Sequence, residues 1–202
     1  MIAMLDTSHD LDTAEREIGC KVEELLTPLT RFQRKRIEGC FAIDNGAFAG
    51  FSSEAFTSLL TRELPSVALC RFVAVPDVVG SARRTLEVFS YWRYRLTPWP
   101  LALVAQDGQE DLDIPWAGIE AIFIGGTTGF KLSKGAADIV RAGKAIGKWV
   151  HAGRVNTPAG FEYFESIGAD SIDGTGLSRY SWMRERIHND AIQPRLITET
   201  IS

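Results

Sequence analysis

Three aspartates in this chain end short apolar runs: Asp44 in "CFAIDNG", Asp77 in "RFVAVPD" and Asp173 in "ADSIDGTGLSRY". Gln106 and Asp107 end a fourth run, "LALVAQDG", and Gly125–Gly126 a fifth, "AIFIGG". His151 to Arg154 end a sixth, "WVHAGRV". A carboxylate where a buried strand meets solvent can act as acid, base or nucleophile. Each aspartate alone also suits a turn or a helix cap, as Asp44 before Asn-Gly or Asp77 after Pro76. Together they read differently. Several strands bringing carboxylates and an amide to one mouth repel one another unless a ligand uses them.

The glycines leave two readings open. "FIGGTTG" could turn backbone N–H groups toward an anion, or let a flat ring approach the backbone closely. His151 has no second His or Cys nearby at metal-ligand spacing, so a packed or orienting role outweighs a ligand role. Basic residues cluster in "RFQRKR" (31–36) and again from Lys131 to Arg186, mostly as helix-face charge that water solvates. Arg154 and Arg179 stand apart, because each follows a strand end and belongs at the rim.

These residues need a scaffold that gathers strand ends. Seven apolar runs, beginning with "IAMLD" at the N-terminus, read as buried strands of a mostly parallel sheet. Helical patterns lie between them. "SARRTLEVFSYWRYR" has one apolar face, and residues 134–147 form a second helix. In "NTPAGFEYFESIGAD", Thr157 suits the N-cap, Pro158 the first helical position and Gly168 the C-terminal cap. Polar strand ends recur every 19 to 33 residues, the rhythm of βα units. The pattern predicts an α/β chain: a (β/α)8 TIM-type barrel, short or incomplete, in a single domain over residues 1–202. A typical barrel needs about 250 residues. The eighth strand has one weak candidate, "PRLITETI" near the C-terminus, and an open doubly wound sheet remains the alternative.

Composition narrows the classes further. The 202 residues carry a net charge of −4, so no global basic field draws nucleic acid, though local patches can. No apolar stretch is long enough to span a membrane, and the N-terminus lacks the features of a signal peptide. Cys20, Cys40 and Cys70 form neither a disulfide framework nor a CxxC pair, which reads as a reduced, cytoplasmic protein.

Six ordered blocks, "FAIDNGAF", "FVAVPDVVG", "LVAQDG", "IFIGGTTGFK", "VHAGRVNTP" and "ADSIDGTGLSR", together resemble the guanine transglycosylases. The resemblance covers about residues 40 to 186 and is nearest to the DNA-guanine transglycosylases of phages and bacteria; the tRNA-guanine enzymes are more distant. It implies a pentosyltransferase that exchanges guanine in a polynucleotide for a 7-deazaguanine base. Asp173 matches the nucleophilic aspartate, and Asp44 the general acid/base. Asp77, Gln106, Gly125 and Gly126 match base-recognition positions, and His151 lies on the strand from which the tRNA enzymes pack a methionine on the base. Lys131, Arg154 and Arg179 would hold the phosphate backbone. The tRNA enzymes carry a structural zinc on three cysteines and a histidine beyond the nucleophile. Here no cysteine lies beyond Cys70, so no metal or other cofactor is expected. The implied partners are DNA, or tRNA as the alternative, and a free 7-deazaguanine, the 7-cyano form by analogy. A homodimer is left open. A phosphate-binding small-metabolite isomerase or lyase is the alternative from barrel physics alone.

Overall fold

Alternation along the apolar runs sorts them into two layers, and the computed structural model, which describes residues 1–6 and 10–192, shows both. The strands are β1 (Ile2–Leu5), β2 (Val22–Leu26), β3 (Phe41–Ile43), β4 (Cys70–Ala74), β5 (Leu101–Ala105), β6 (Ala121–Ile124), β7 (Trp149–Ala152) and β8 (Ser171–Asp173). All neighbours pair in parallel and in chain order, and β8 returns to β1 through Ala3 opposite Ile172 and Met4 opposite Asp173. The result is a closed (β/α)8 TIM-type barrel. Met4, Leu25, Ala42, Phe72, Ala74, Val104 and Phe123 fill its interior. Alternate residues such as Leu5, Ile43, Val73, Leu103, Ile122 and Ile172 pack outward against the helices.

The helices are α1 (Leu11–Ile18), α2 (Ser53–Glu63), α3 (Ala82–Trp92), α4 (Thr128–Lys131), α5 (Lys134–Ala145), α6 (Pro158–Ser166), α7 (Thr175–Arg179) and α8 (Ser181–Ile192). Thr157 caps α6 by accepting from Gly160 N, Pro158 opens it, and Gly168 leaves it at φ 93°. No helix follows β2, and only two short 3-10 turns join β5 to β6. Those two economies let eight strands close in a short chain. No helix among the described residues is long and apolar enough to cross a membrane.

The eighth strand is β2, "VEELL", which the apolar runs did not mark. "PRLITETI" lies outside the described residues. Glu23 and Glu24 disguise β2, yet both are buried. Glu23 takes both Nε and Nη2 of Arg71, at 3.0 and 2.7 Å, and Lys21 Nζ at 2.7 Å. The Arg71 guanidinium also lies 4.7 Å over the Trp149 ring. Burial pushes the Glu23 carboxyl up, but the hydrogen bonds from Arg71 and Lys21 outweigh it and hold it below the ordinary value.

Glu24 does different work. Its two oxygens accept from Lys35 N at 2.8 Å and Arg36 N at 3.0 Å, which fixes the helix-free β2–β3 connection. Arg34 in that connection pairs with Glu63 at 3.1 Å and stacks 4.2 Å over Phe41. Arg36 binds Asp12 and Glu15 of α1. The basic run 31–36 is therefore in large part a structural clasp. Glu24→Ala strands two backbone N–H groups, each costing about 1–3 kcal/mol when buried. The urea midpoint should fall by an amount worth about 2 kcal/mol or more, with the denaturant slope unchanged.

Candidate active site

The strand ends of β3 to β8 meet at the C-terminal mouth around a cavity of about 410 Å³ that opens to solvent. Asp44, Asp77, Gln106, Gly125, Gly126, Arg154 and Asp173 all line it, so seven of the ten residues singled out by sequence share one pocket. Period-two alternation explains this: each stands in register with the inward face of its strand or on the turn just beyond.

One end of the pocket is a fixed polar network. Asp77 Oδ1 accepts from Asn45 Nδ2 at 2.8 Å, and Oδ2 from Gln106 Nε2 at 2.6 Å. Gln106 Oε1 accepts from Gly80 N at 2.9 Å, and Asn45 Nδ2 also donates to Val75 O at 2.9 Å. Both amides are thereby oriented. Burial lifts the Asp77 carboxyl above its ordinary value despite these bonds. Gly125 gives this wall its closeness: a Cβ there would stand 2.8 Å from Val104 Cγ1 and 3.0 Å from Gln106 Nε2. Gly126 follows at φ 72°, a conformation that favours glycine.

Asp44 and Asp173 form the opposite wall. Asp44 Oδ1 accepts from Gly46 N at 3.1 Å. Burial, and then the charge of Asp173, push the Asp44 carboxyl up to about 7. Asp173 Oδ1 meets His151 Nε2 at 3.0 Å and accepts from Arg154 N at 3.1 Å. Its Oδ2 has no hydrogen-bond partner among the described residues. The same two aspartates line a second cavity of about 850 Å³, which runs past Thr27 and Thr175 to Arg179. The acids thus stand between two chambers.

Two expectations change. His151 does not line this pocket; it is fully buried beneath Asp173, with its ring 4.5 Å from Phe123 and 5.2 Å from Phe72. It sits inside β7, one layer below the residues that follow the strand ends. Lys131 is not an open rim cation. It is 5% exposed, and its Nζ donates to Gly153 O at 2.8 Å and Arg154 O at 3.1 Å. Burial, with the Arg154 charge adding to it, lowers the Lys131 ammonium to about 8. Gly174 and Gly176, beyond Asp173, are packed by the chain itself. A Cβ on Gly174 would come 2.0 Å from Val155 O, and one on Gly176 would come 2.7 Å from Met183 Sδ. These glycines admit the chain's own β7–α6 loop.

Arg154 and Arg179 do lie at the mouth. Arg154 adopts φ 56°, reaches Gly126 O with Nη2 and lies 4.1 Å over the exposed Phe48 ring. Besides the apolar Val79, Val104 and Phe123, the sequence reading did not single out two pocket residues, Phe48 and Asn45. Both stand inside "DNGAF", where adjacency to Asp44 was the available signal.

No family model matches this chain, and no curated protein sequence does. Solved structures do resemble it. One is a mandelate oxidase with a C4a-OH-FMN adduct, at TM-score 0.54 and 13% identity over 95% of this chain and 74% of that one. Another is a flavocytochrome b2 mutant, at TM-score 0.52 and 12% identity, of which the aligned part is 61%. Likeness at this level shows the barrel fold alone.

The raised Asp44 carboxyl has a measurable consequence. Between about pH 4 and 7 the folded protein keeps a proton that the unfolded chain has released, so this group makes stability fall as pH rises. Asp44→Asn removes that fall. The variant should gain on the order of 2 kcal/mol over the parent at pH 8 and little or nothing at pH 4. Urea midpoints of the two proteins across pH 4–8 check the sign.

Proposed function

We propose that this barrel is a base-exchanging transglycosylase that acts on guanine in DNA and inserts a 7-deazaguanine. The observation that carries the reading is the acid pair: Asp44, poised near neutrality, and Asp173, with Oδ2 unpartnered among the described residues, stand on a wall shared by the polar pocket and an Arg179-lined chamber. Two carboxylates of different protonation are what retaining glycosyl transfer needs.

The chemistry balances as two displacements. Asp173 Oδ2 attacks the anomeric carbon; the bond to guanine breaks, its electron pair goes to the base, and Asp44 supplies the proton. The resulting aspartyl–sugar ester holds the strand. The incoming 7-deazaguanine then loses its ring N–H proton to Asp44 and attacks the same carbon, and Asp173 leaves as carboxylate. Two inversions give retention.

The polar wall suits a guanine edge. Asp77 retains lone pairs for N–H donors, and the second Nε2 hydrogen of Gln106 can reach a carbonyl. Gly125 and Gly126 line the pocket beside Gln106, and Phe48 offers a ring face. The target base has to leave its stack to enter. Arg154 and Arg179 supply cations at the rim, so binding should weaken steeply with salt.

A second reading, a small-metabolite barrel enzyme that holds a phosphate, rests on the barrel fold and on the Thr175–Arg179 turn in the second chamber. In the glycine loop, Gly125 N and Thr127 N already donate to Ala105 O and Asp107 Oδ2, both at 2.9 Å. A phosphate there would also meet the Asp107 charge.

Labelled 7-cyano-7-deazaguanine offered with guanine-containing DNA or tRNA separates the readings. Label should enter DNA; entry into tRNA alone would move the substrate to RNA. Label in neither, with a thermal shift from sugar phosphates, would favour the second reading. Asp173→Ala should abolish the denaturation-resistant protein–DNA adduct and cut exchange by about 10³-fold or more. Asp77→Ala should raise KM for the free base by about 10–150-fold while the Kd for DNA stays within about threefold. Equal losses in both would contradict the base-recognition role.

A further inference from the structure

We infer that His151 is a positioning residue for the nucleophile, the last link of a buried chain Trp149–Ser171–His151–Asp173 that decides which carboxylate oxygen attacks. The inference rests on the reading of Asp173 as nucleophile.

The chain is continuous. Trp149 Nε1 donates to Ser171 Oγ at 2.8 Å, Ser171 Oγ lies 2.9 Å from His151 Nδ1, and His151 Nε2 lies 3.0 Å from Asp173 Oδ1. Its direction follows from chemistry. An indole N–H can only donate, so Ser171 Oγ accepts from Trp149. The serine hydroxyl then has its own proton to place in a fully buried site. The neighbouring acceptor is His151 Nδ1. A neutral ring that accepts at Nδ1 carries its proton on Nε2, which therefore donates to Asp173 Oδ1.

The consequence lies on the carboxylate. Oδ1 takes two donors, His151 Nε2 and Arg154 N, while Oδ2 takes none among the described residues. Rotation about Cβ–Cγ would exchange the oxygens, and two donors aimed at one of them oppose it. Phe72 and Phe123 clamp the ring, and a Cβ on Gly153 would come 2.4 Å from Phe123 Cε1, so the clamp leaves no slack there. The same bonds act again in the second half-reaction. Donors on Oδ1 stabilise the carboxylate as it leaves the sugar, an interaction weaker in the ester than in the departing anion.

Four proteins test this: the parent, His151→Leu, His151→Gln and Ser171→Ala. His151→Leu should lower kcat for base exchange about 100-fold, with KM for DNA and base within about threefold. His151→Gln can place an amide N–H near Oδ1 and should recover at least about tenfold of that loss. Long-range 1H–15N spectra should show His151 as the Nε2–H tautomer in the parent, with Nδ1–H gaining population in Ser171→Ala. An unchanged kcat in His151→Leu, a loss confined to KM, or an Nδ1–H tautomer in the parent would each overturn the inference. If His151→Leu does not fold, Ser171→Ala gives the kcat reading, with about a tenfold loss expected. If the parent exchanges no base, the transglycosylase reading fails and the proposed catalytic role of His151 falls with it. The tautomer spectra, which need no activity, then report only whether the hydrogen-bond chain exists.

Discussion

Repulsion among three carboxylates, Asp44, Asp77 and Asp173, is the constraint around which the mouth of this barrel is built. Charges brought together out of water raise one another's cost, and the fold answers each in a different way. Asp77 has an amide on each oxygen. Asp173 has two donors on one oxygen. Asp44 has only backbone N–H donors among the described residues, and its carboxyl is the one pushed up to about 7. Three identical side chains thus meet three different surroundings at one mouth.

The opposite end of the barrel meets the same physics with cations. Glu23 lies in a closed ion cluster with Arg71 and Lys21, and Arg71 is stacked on Trp149. Trp149 in turn donates to Ser171, so floor and mouth are joined through the buried hydrogen bonds that reach Asp173. A small barrel has little apolar volume to spare, and here polar groups take part of it. All but one are satisfied: Gln109 Oε1 is the one buried side-chain N or O atom without a partner among the described residues.

The trimmed connections shift structural work onto side chains. Where a helix would cover β2, Glu24, Arg34 and Arg36 fasten a loop by hydrogen bonds to backbone and to α1 and α2. Where a loop would wander after β7, Lys131 grips two of its carbonyls. Charged residues that look like a solvated face in one dimension are the ties that let a short chain close.

The sequence by itself determined seven strands, because each is a short apolar run ended by a polar residue or glycine, and that pattern survives in one dimension. Position at the ends of those strands also placed Asp44, Asp77, Gln106, Gly125, Gly126 and Asp173 at one mouth. It could not reveal β2, since Glu23 and Glu24 read as solvent-facing until Arg71, from 48 positions away, and the Lys35 and Arg36 amides are folded onto them. Nor could it assign depth. His151 and Lys131 have the types and positions of site residues, and only packing put one beneath Asp173 and turned the other's ammonium onto the carbonyls of the loop after β7. Burial and partner identity are properties of contacts between distant segments, so tertiary structure alone decided which polar residues line the pocket and which hold the others in place.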